Sequence, residues 1–95
     1  MTYFDFTKLK NIGPRTAANL RKMGIKNLDE MKKLGTKELF WRYFESSGGW
    51  HSTMCSCWLY AIEGAITNTH WTQISAKKKT ELRKYVHDLR NSFSQ

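Results

Sequence analysis

Apolar residues recur along most of this chain at the three- and four-residue spacing of amphipathic helices. The spacing is clearest in two sets: Leu39, Phe40, Tyr43 and Phe44, and then Leu82, Tyr85, Val86, Leu89 and Phe93. No segment alternates apolar and polar residues as a half-buried strand does. The pattern predicts an all-α fold, a compact single domain of five to six helices over residues 1–95.

Helix-breaking residues divide the first part of this pattern. A short first helix is predicted from about Thr7 to Lys10. Pro14 is predicted to open the second helix, because its missing N–H costs nothing at the first helical position. Gly24 follows Met23 and is predicted to end that helix, in the position where glycine most often follows a helix.

Capping residues mark the later helices. Asn27 and Glu30 have the spacing of a capping box at the start of the third helix. Thr36 is the predicted cap of the fourth helix and Ser75 that of the last. Ser46 to Gly49 form the clearest break, a loop too short to link two domains.

The fifth helix, from about Ser52 to Ile66, is apolar around nearly its whole circumference, which is typical of a buried central helix. Its one charge, Glu63, is expected to pair with a Lys, an Arg or an indole N–H, because a buried carboxylate needs a partner. Gly64 is expected to let a neighbouring helix or Trp71 pack closely. Beyond the helix, Trp71 and Ile74 are both predicted to point inward.

The charge is strongly positive, with 16 Lys and Arg against 8 Asp and Glu and a formal net charge of +8. Such a field favours polyanions: nucleic acid, an anionic membrane face or an acidic patch on a protein. Six basic residues and no acidic one lie between Asp5 and Asp29. A second basic run, residues 77–79, opens the last helix.

Several functional classes find little support in the sequence. No secretory signal and no run of about 18 apolar residues is present, so a cytoplasmic protein with no membrane partner is expected. Cys55 and Cys57 are expected to be buried free thiols. His51, Cys55, Cys57 and His70 fit zinc spacing poorly. No catalytic constellation stands out, and we expect neither an enzyme, nor a metal site, nor a cofactor.

The segment Leu9 to Ala17 resembles a helix-hairpin-helix motif, in which a tight turn presents backbone N–H groups to a phosphate at a helix start. Asn11 replaces the motif's usual first glycine and tolerates a left-handed backbone better than most residues. The alternative is a plain helix–helix turn. As DNA-contacting residues we predict Lys8, Lys10, Ile12, Gly13, Arg15, Thr16, Arg21 and Lys22.

The order of motifs over residues 7–85 resembles the C-terminal domain of the TfoX/Sxy family. The resemblance rests on residues 11–20, on Leu34-Gly35, on residues 57–66, and on Trp71 and Ile74 before a basic helix. It implies a regulator of competence and transcription that acts with the cyclic-AMP receptor protein. Full-length members carry an N-terminal domain as well, so either an excised domain or a stand-alone relative is expected.

Two functions remain open at this point. The first is a co-regulator domain that contacts the DNA backbone without sequence preference, because phosphate contacts position a protein without encoding sequence. The second is a protein-interaction module that docks a transcription factor or RNA polymerase without touching DNA. For the second, Trp41, Trp50 and Phe93 are candidate surface aromatics.

Overall fold

Five α-helices and two short 3₁₀ turns form the part of the chain that the computed structural model describes, residues 4–48 and 56–93. The helices are α1 (Pro14–Lys22), α2 (Leu28–Leu34), α3 (Thr36–Ser46), α4 (Ser56–Thr67) and α5 (Ala76–Phe93). The first 3₁₀ turn is Phe6–Lys8 and the second is Trp71–Gln73. None of the described residues is in a strand, and the all-α prediction is confirmed.

The start of the chain follows its local signals closely. The Asp5 carboxylate accepts a hydrogen bond from the Thr7 backbone N–H at 3.0 Å and caps the first 3₁₀ turn, which is shorter and earlier than the predicted helix. Pro14 opens α1 as predicted. Gly24, with a φ of +84°, follows α1 in the left-handed region that glycine adopts without steric cost.

Capping chemistry sets the starts of α2 and α5. The Asn27 side chain accepts from the Glu30 N–H at 2.9 Å, and the Glu30 carboxylate accepts from the Lys26 N–H at 3.3 Å. The Ser75 hydroxyl accepts from the Lys78 N–H at 3.1 Å at the start of α5. Both predicted caps are therefore present.

The predicted cap of the fourth predicted helix, now α3, was wrong, although the helix is present. Gly35, with a φ of +84°, is the N-cap, and Thr36 is the first residue of the helix. The Thr36 hydroxyl donates a hydrogen bond to the Glu63 carboxylate at 2.7 Å. Glu63 is therefore satisfied by a hydroxyl of α3 instead of the expected cation or indole.

The core consists of two clusters on either side of α4, which packs against α2, α3, α5 and the second 3₁₀ turn. The first cluster joins α4 to the N-terminal half and contains Phe6, Ile12, Ala17, Leu20, Ile25, Met31, Leu39, Ile62 and Ala65. The second cluster joins α3, α4 and α5 and contains Phe40, Phe44, Leu59, Leu82 and Val86. Trp58 of α4 packs against both clusters, so α4 is the central helix, as predicted.

The second 3₁₀ turn differs from prediction. Ile74 is buried as expected, but 48% of Trp71 is exposed. The Trp71 backbone N–H donates to the Asn11 side-chain oxygen at 3.1 Å, which fixes this turn against the start of the chain. The indole lies beside Lys79, whose ammonium is 5.8 Å from the ring centroid, and does not enter the core.

Gly64 also has a different neighbour from the one expected. A Cβ at this position would collide with the Asn11 side-chain nitrogen and with the Thr69 carbonyl oxygen. The glycine therefore admits an asparagine side chain and a returning loop, not a helix or an indole. No described helix has the length and apolar character to cross a bilayer.

Candidate nucleic-acid interface

The turn before α1 is built around Asn11, whose φ of +69° lies in the left-handed region. Its side chain donates to the Thr69 carbonyl at 3.0 Å and to the Ala61 carbonyl at 3.5 Å. Ile12 follows and is only 5% exposed. Asn11 and Ile12 thus fix the turn to the core, and Ile12 offers a ligand only its backbone.

The residues that follow are open to solvent. Gly13, Pro14 and Arg15 are exposed, and Thr16 is half-buried. Gly13 is the N-cap and no side chain caps the helix. The first helical N–H with an intrahelical partner is that of Ala17, which donates to the Gly13 carbonyl at 3.0 Å. Helical geometry therefore leaves the N–H groups of Arg15 and Thr16 for an outside acceptor.

The other described helix starts are less suited to an anion. Side chains cap α2 and α5, as described above. The start of α3 has a glycine N-cap, but in the cavity beside it three acidic residues outnumber two basic ones: Glu38, Glu63 and Glu81 against Lys37 and Lys78. Acidic groups repel an anion, so the start of α1 is the most favourable of these four positions.

The structure brings only some of the predicted site residues together. Lys10, Gly13, Arg15 and Thr16 are at the turn and the first turn of α1. Arg21 and Lys22 are in the last turn of α1. Lys22 is seven positions after Arg15, or about 10 Å along the helix axis at 1.5 Å per residue.

The remaining cations have acidic neighbours. Hydrogen bonds from Thr7, together with the charges of Lys8 and Arg21, lower the pKa of Asp5. Lys22 lines a cavity of about 440 Å³ with Glu38 and Glu45. The field near Lys8, Arg21 and Lys22 is therefore partly balanced, and Arg15 is the predicted cation best placed beside the open helix start.

Two neighbouring cavities extend from Arg15 across the surface of α4. The first, of about 420 Å³, is lined by Arg15, Thr16, Asn19, Tyr43, Cys57, Trp58 and Ala61. The Tyr43 and Trp58 rings stack there, with centroids 4.7 Å apart. Cys57, which was expected to be buried, is exposed.

The second cavity, of about 450 Å³, is lined by Asn11, Cys57, Tyr60, Ala61, His70 and Trp71. Cys57 and Ala61 line both cavities, and we call the two adjoining cavities together the aromatic groove. The Lys79 ammonium is 5.8 Å from the centroids of both the Tyr60 and the Trp71 rings. None of the described residues that line either cavity is acidic.

Sequence reasoning missed this groove. Trp71 was predicted to point inward with Ile74, and Lys79 was treated only as part of a basic run. The repeated Trp, Tyr and Lys residues near α4 and α5 were the available signal, but their convergence depends on how the second 3₁₀ turn packs on Asn11.

Other sequence candidates lie elsewhere. Trp41 is half-buried and stacks on Phe44, with ring centroids 5.4 Å apart. Trp50, His51, Cys55 and the predicted helix start at Ser52 are outside the described residues, as is the side chain of Phe93. Among the residues that are described, no group of three His, Cys, Asp or Glu side chains is placed to hold a metal ion.

These features define a small, basic, all-helical domain with an open helix start beside an aromatic surface. The chain belongs to the TfoX C-terminal domain family, whose family model matches residues 5–86. This confirms the resemblance found in the sequence.

Two crystal structures from Listeria monocytogenes are similar to this chain over most of its length. One is an uncharacterised protein in a triclinic form, with 37% identity, a TM-score of 0.81, and coverage of 92% of this chain and 94% of that chain. The other is a protein of unknown function in a tetragonal form, with 38% identity, a TM-score of 0.78, and coverage of 87% and 98%. A comparison with curated proteins found no match.

Proposed function

We propose that this domain acts by binding, as a transcription or competence co-regulator that contacts the nucleic-acid backbone through the turn at Asn11–Arg15. The observation that carries the proposal is the exposed, uncapped start of α1 with Arg15 in its first turn. A phosphate oxygen placed there accepts from backbone N–H groups, gains from the helix dipole and meets a guanidinium.

The geometry supports contact with the backbone more than reading of bases. The groups offered at the turn are backbone amides, one hydroxyl and cations, which recognise phosphate in any sequence. Dissociation constants on the order of 10⁻⁴ to 10⁻⁶ M at physiological salt are therefore expected for duplex DNA. Lys10 and Thr16 contribute beside Arg15, whereas Lys8, Arg21 and Lys22 contribute mainly to the general field.

The test is a titration of fluorescently labelled duplex DNA over a series of salt concentrations. The parent is compared with Arg15→Glu and with a matched control, Lys33→Glu. Lys33 is also exposed but lies on α2, and both substitutions lower the net charge by the same amount. We expect Arg15→Glu to weaken binding by about tenfold or more and to reduce the salt slope by about 1, with a smaller effect of Lys33→Glu.

If the two substitutions weakened DNA binding equally, only the overall charge would matter, and the turn would be excluded as the binding site. An affinity for DNA that does not change with salt concentration would exclude phosphate contact as the basis of binding. The alternative is docking to the cyclic-AMP receptor protein or RNA polymerase without DNA contact. It would be favoured if the parent failed to bind DNA and both the parent and Arg15→Glu retained such a protein in a pull-down.

A further inference from the structure

The aromatic groove contains a feature that contact with a duplex backbone does not use. Trp71 is 48% exposed, so a large apolar ring remains in water. Two contacts position this residue. The Trp71 backbone N–H donates to the Asn11 side-chain oxygen at 3.1 Å, and the Lys79 ammonium lies over the ring. A single exposed apolar side chain is common on protein surfaces, but Trp71 lines one cavity together with Tyr60, and such paired aromatic side chains are frequent in binding surfaces.

The chemistry of the groove suits a ligand that is both aromatic and anionic. Tyr60 and Trp71 offer ring faces, and Lys79 lies within 5.8 Å of both ring centroids. Arg15 lines the other end of the groove. No acidic side chain is present among the described lining residues, so the charge complements phosphate along its length.

We propose that the aromatic groove binds a single-stranded nucleic acid, with unpaired bases against Trp71 and Tyr60 and phosphates toward Lys79 and Arg15. Bases in a duplex are stacked on each other and present only their edges, whereas an unpaired base can stack on an aromatic side chain. This inference rests on the proposed nucleic-acid function and specifies the form of strand that the domain prefers.

Asn11 connects the turn before α1, where a phosphate is proposed to bind, with Trp71, where a base is proposed to stack. It shapes the turn that leads to Gly13 and also accepts from the Trp71 backbone. One side chain therefore joins the turn before the open helix start to the backbone of the residue that carries the indole. Arg15 and Thr16 of the first turn of α1 themselves line one of the two cavities, so a phosphate held there lies beside the groove.

The test compares three labelled probes: a 15-nucleotide single-stranded DNA of mixed sequence, the RNA of the same sequence, and the DNA duplex. Each is titrated by fluorescence anisotropy with the parent, Trp71→Ala and Trp71→Phe. We expect the parent to bind the single strands more tightly than the duplex. Trp71→Ala should weaken single-strand binding by about tenfold, and Trp71→Phe much less, because phenylalanine retains a stacking face.

Circular dichroism checks that Trp71→Ala is folded, and its duplex binding should fall less than its single-strand binding, because a duplex has no unpaired base to stack on the indole. Stacking and phosphate contacts are common to both strand types, so binding of either the DNA or the RNA supports the inference, and the ratio of the two affinities identifies the source.

The inference is overturned if Trp71→Ala binds the single strands as tightly as the parent does. If duplex binding remains sensitive to Arg15→Glu in that case, the proposed function survives alone. Failure of the parent to bind any of the three probes would overturn both the inference and the proposed function, and would favour a protein as the partner of the groove.

Discussion

The Asn11 side chain holds the backbone of Trp71, accepting from its N–H at 3.1 Å while donating to the nearby Thr69 carbonyl at 3.0 Å. A single amide therefore satisfies polar groups of a segment that lies far along the chain. The same residue adopts the left-handed backbone of the turn before α1. The shape of the candidate interface and the attachment of the second 3₁₀ turn thus depend on one side chain.

Substitutions of Asn11 separate the contribution of its side-chain hydrogen bonds from that of its left-handed backbone conformation. Asn11→Gly keeps a residue suited to a φ of +69° but removes the side-chain hydrogen bonds, and we expect a loss of about 2 kcal/mol in unfolding free energy. Asn11→Ala removes the same bonds and places at this φ a residue that tolerates the left-handed region less well than Asn or Gly, which adds about 1 kcal/mol relative to Asn11→Gly. Urea denaturation followed by circular dichroism measures both. An Asn11→Ala protein as stable as Asn11→Gly would contradict the importance of the turn conformation.

Gly64→Ala should destabilise the protein although the change is usually favourable inside a helix. The added Cβ collides with the Asn11 amide and with the Thr69 carbonyl, and the backbone atom cannot move away easily. Overpacking of this kind costs about 1–3 kcal/mol.

The control for Gly64 is Ala18→Gly, at an exposed position inside α1. It measures helix propensity alone, about 1 kcal/mol. Thermal and urea denaturation of the two variants should show both to be less stable than the parent. A Gly64→Ala protein with raised stability would show that the contact with Asn11 is not close.

Thr36 provides the hydrogen bond that satisfies Glu63, and its removal should be costly because Thr36 is buried. Thr36→Val keeps the shape of the side chain but leaves the carboxylate without this donor, with an expected loss of about 2 kcal/mol. Thr36→Ser keeps the hydroxyl and loses one methyl group, with an expected loss of about 1 kcal/mol. Denaturation curves in which Thr36→Val is the more stable of the two would refute this account.

Glu81 should make stability depend on acid pH. Its carboxylate accepts from Lys78 at 3.1 Å and pairs with Lys37 at 3.2 Å, and these contacts lower the pKa of Glu81 below its ordinary value of 4.5. A carboxyl whose pKa is lowered by folding stabilises the folded state above its unfolded pKa. That stabilisation is lost as the pH falls from about 4.5 through the folded pKa.

We therefore expect Glu81→Gln to reduce the melting temperature at pH 7, and the difference from the parent to shrink progressively as the pH falls below about 4.5. Because Glu81 is exposed, 1 M NaCl should shrink the difference at pH 7, since the screening length is then about 3 Å. A constant difference between the two proteins across this pH range would exclude the ion pairs as its cause.

Much of the fold could be predicted because the signals are local. Pro14, the Asn27–Glu30 pair and Ser75 act within three or four residues, so their patterns in the sequence contain nearly all the relevant information. The central position of α4 also follows from its composition, since a helix that is apolar on most sides must be covered.

The errors concern contacts between distant segments. Thr36 has the side chain of a cap, but its hydroxyl is used by Glu63. Trp71 has the apolar area of a core residue, but Asn11 and Lys79 hold it at the surface. No local pattern predicts such pairings, because they depend on how the helices pack.

The sequence also indicated only part of the candidate site. Exposure of Gly13 and Arg15 agrees with the motif at the turn. The grouping of Arg21 and Lys22 with them ignored the length of α1, which places them at its far end. The aromatic groove was missed because it assembles from α1, α3, α4 and the second 3₁₀ turn.

The hydrogen bonds of Asn11 have a consequence for truncated versions of the protein. A peptide that stops at Gly48 contains every residue from Lys8 to Lys22, yet it has none of the acceptors and donors in residues 61–71 that hold the Asn11 amide. It also lacks Ile62 and Ala65, which pack in the same cluster as Ile12. The segment that resembles a portable motif is thus shaped by the opposite half of the molecule, and grafting it onto another scaffold would require transplanting that half as well.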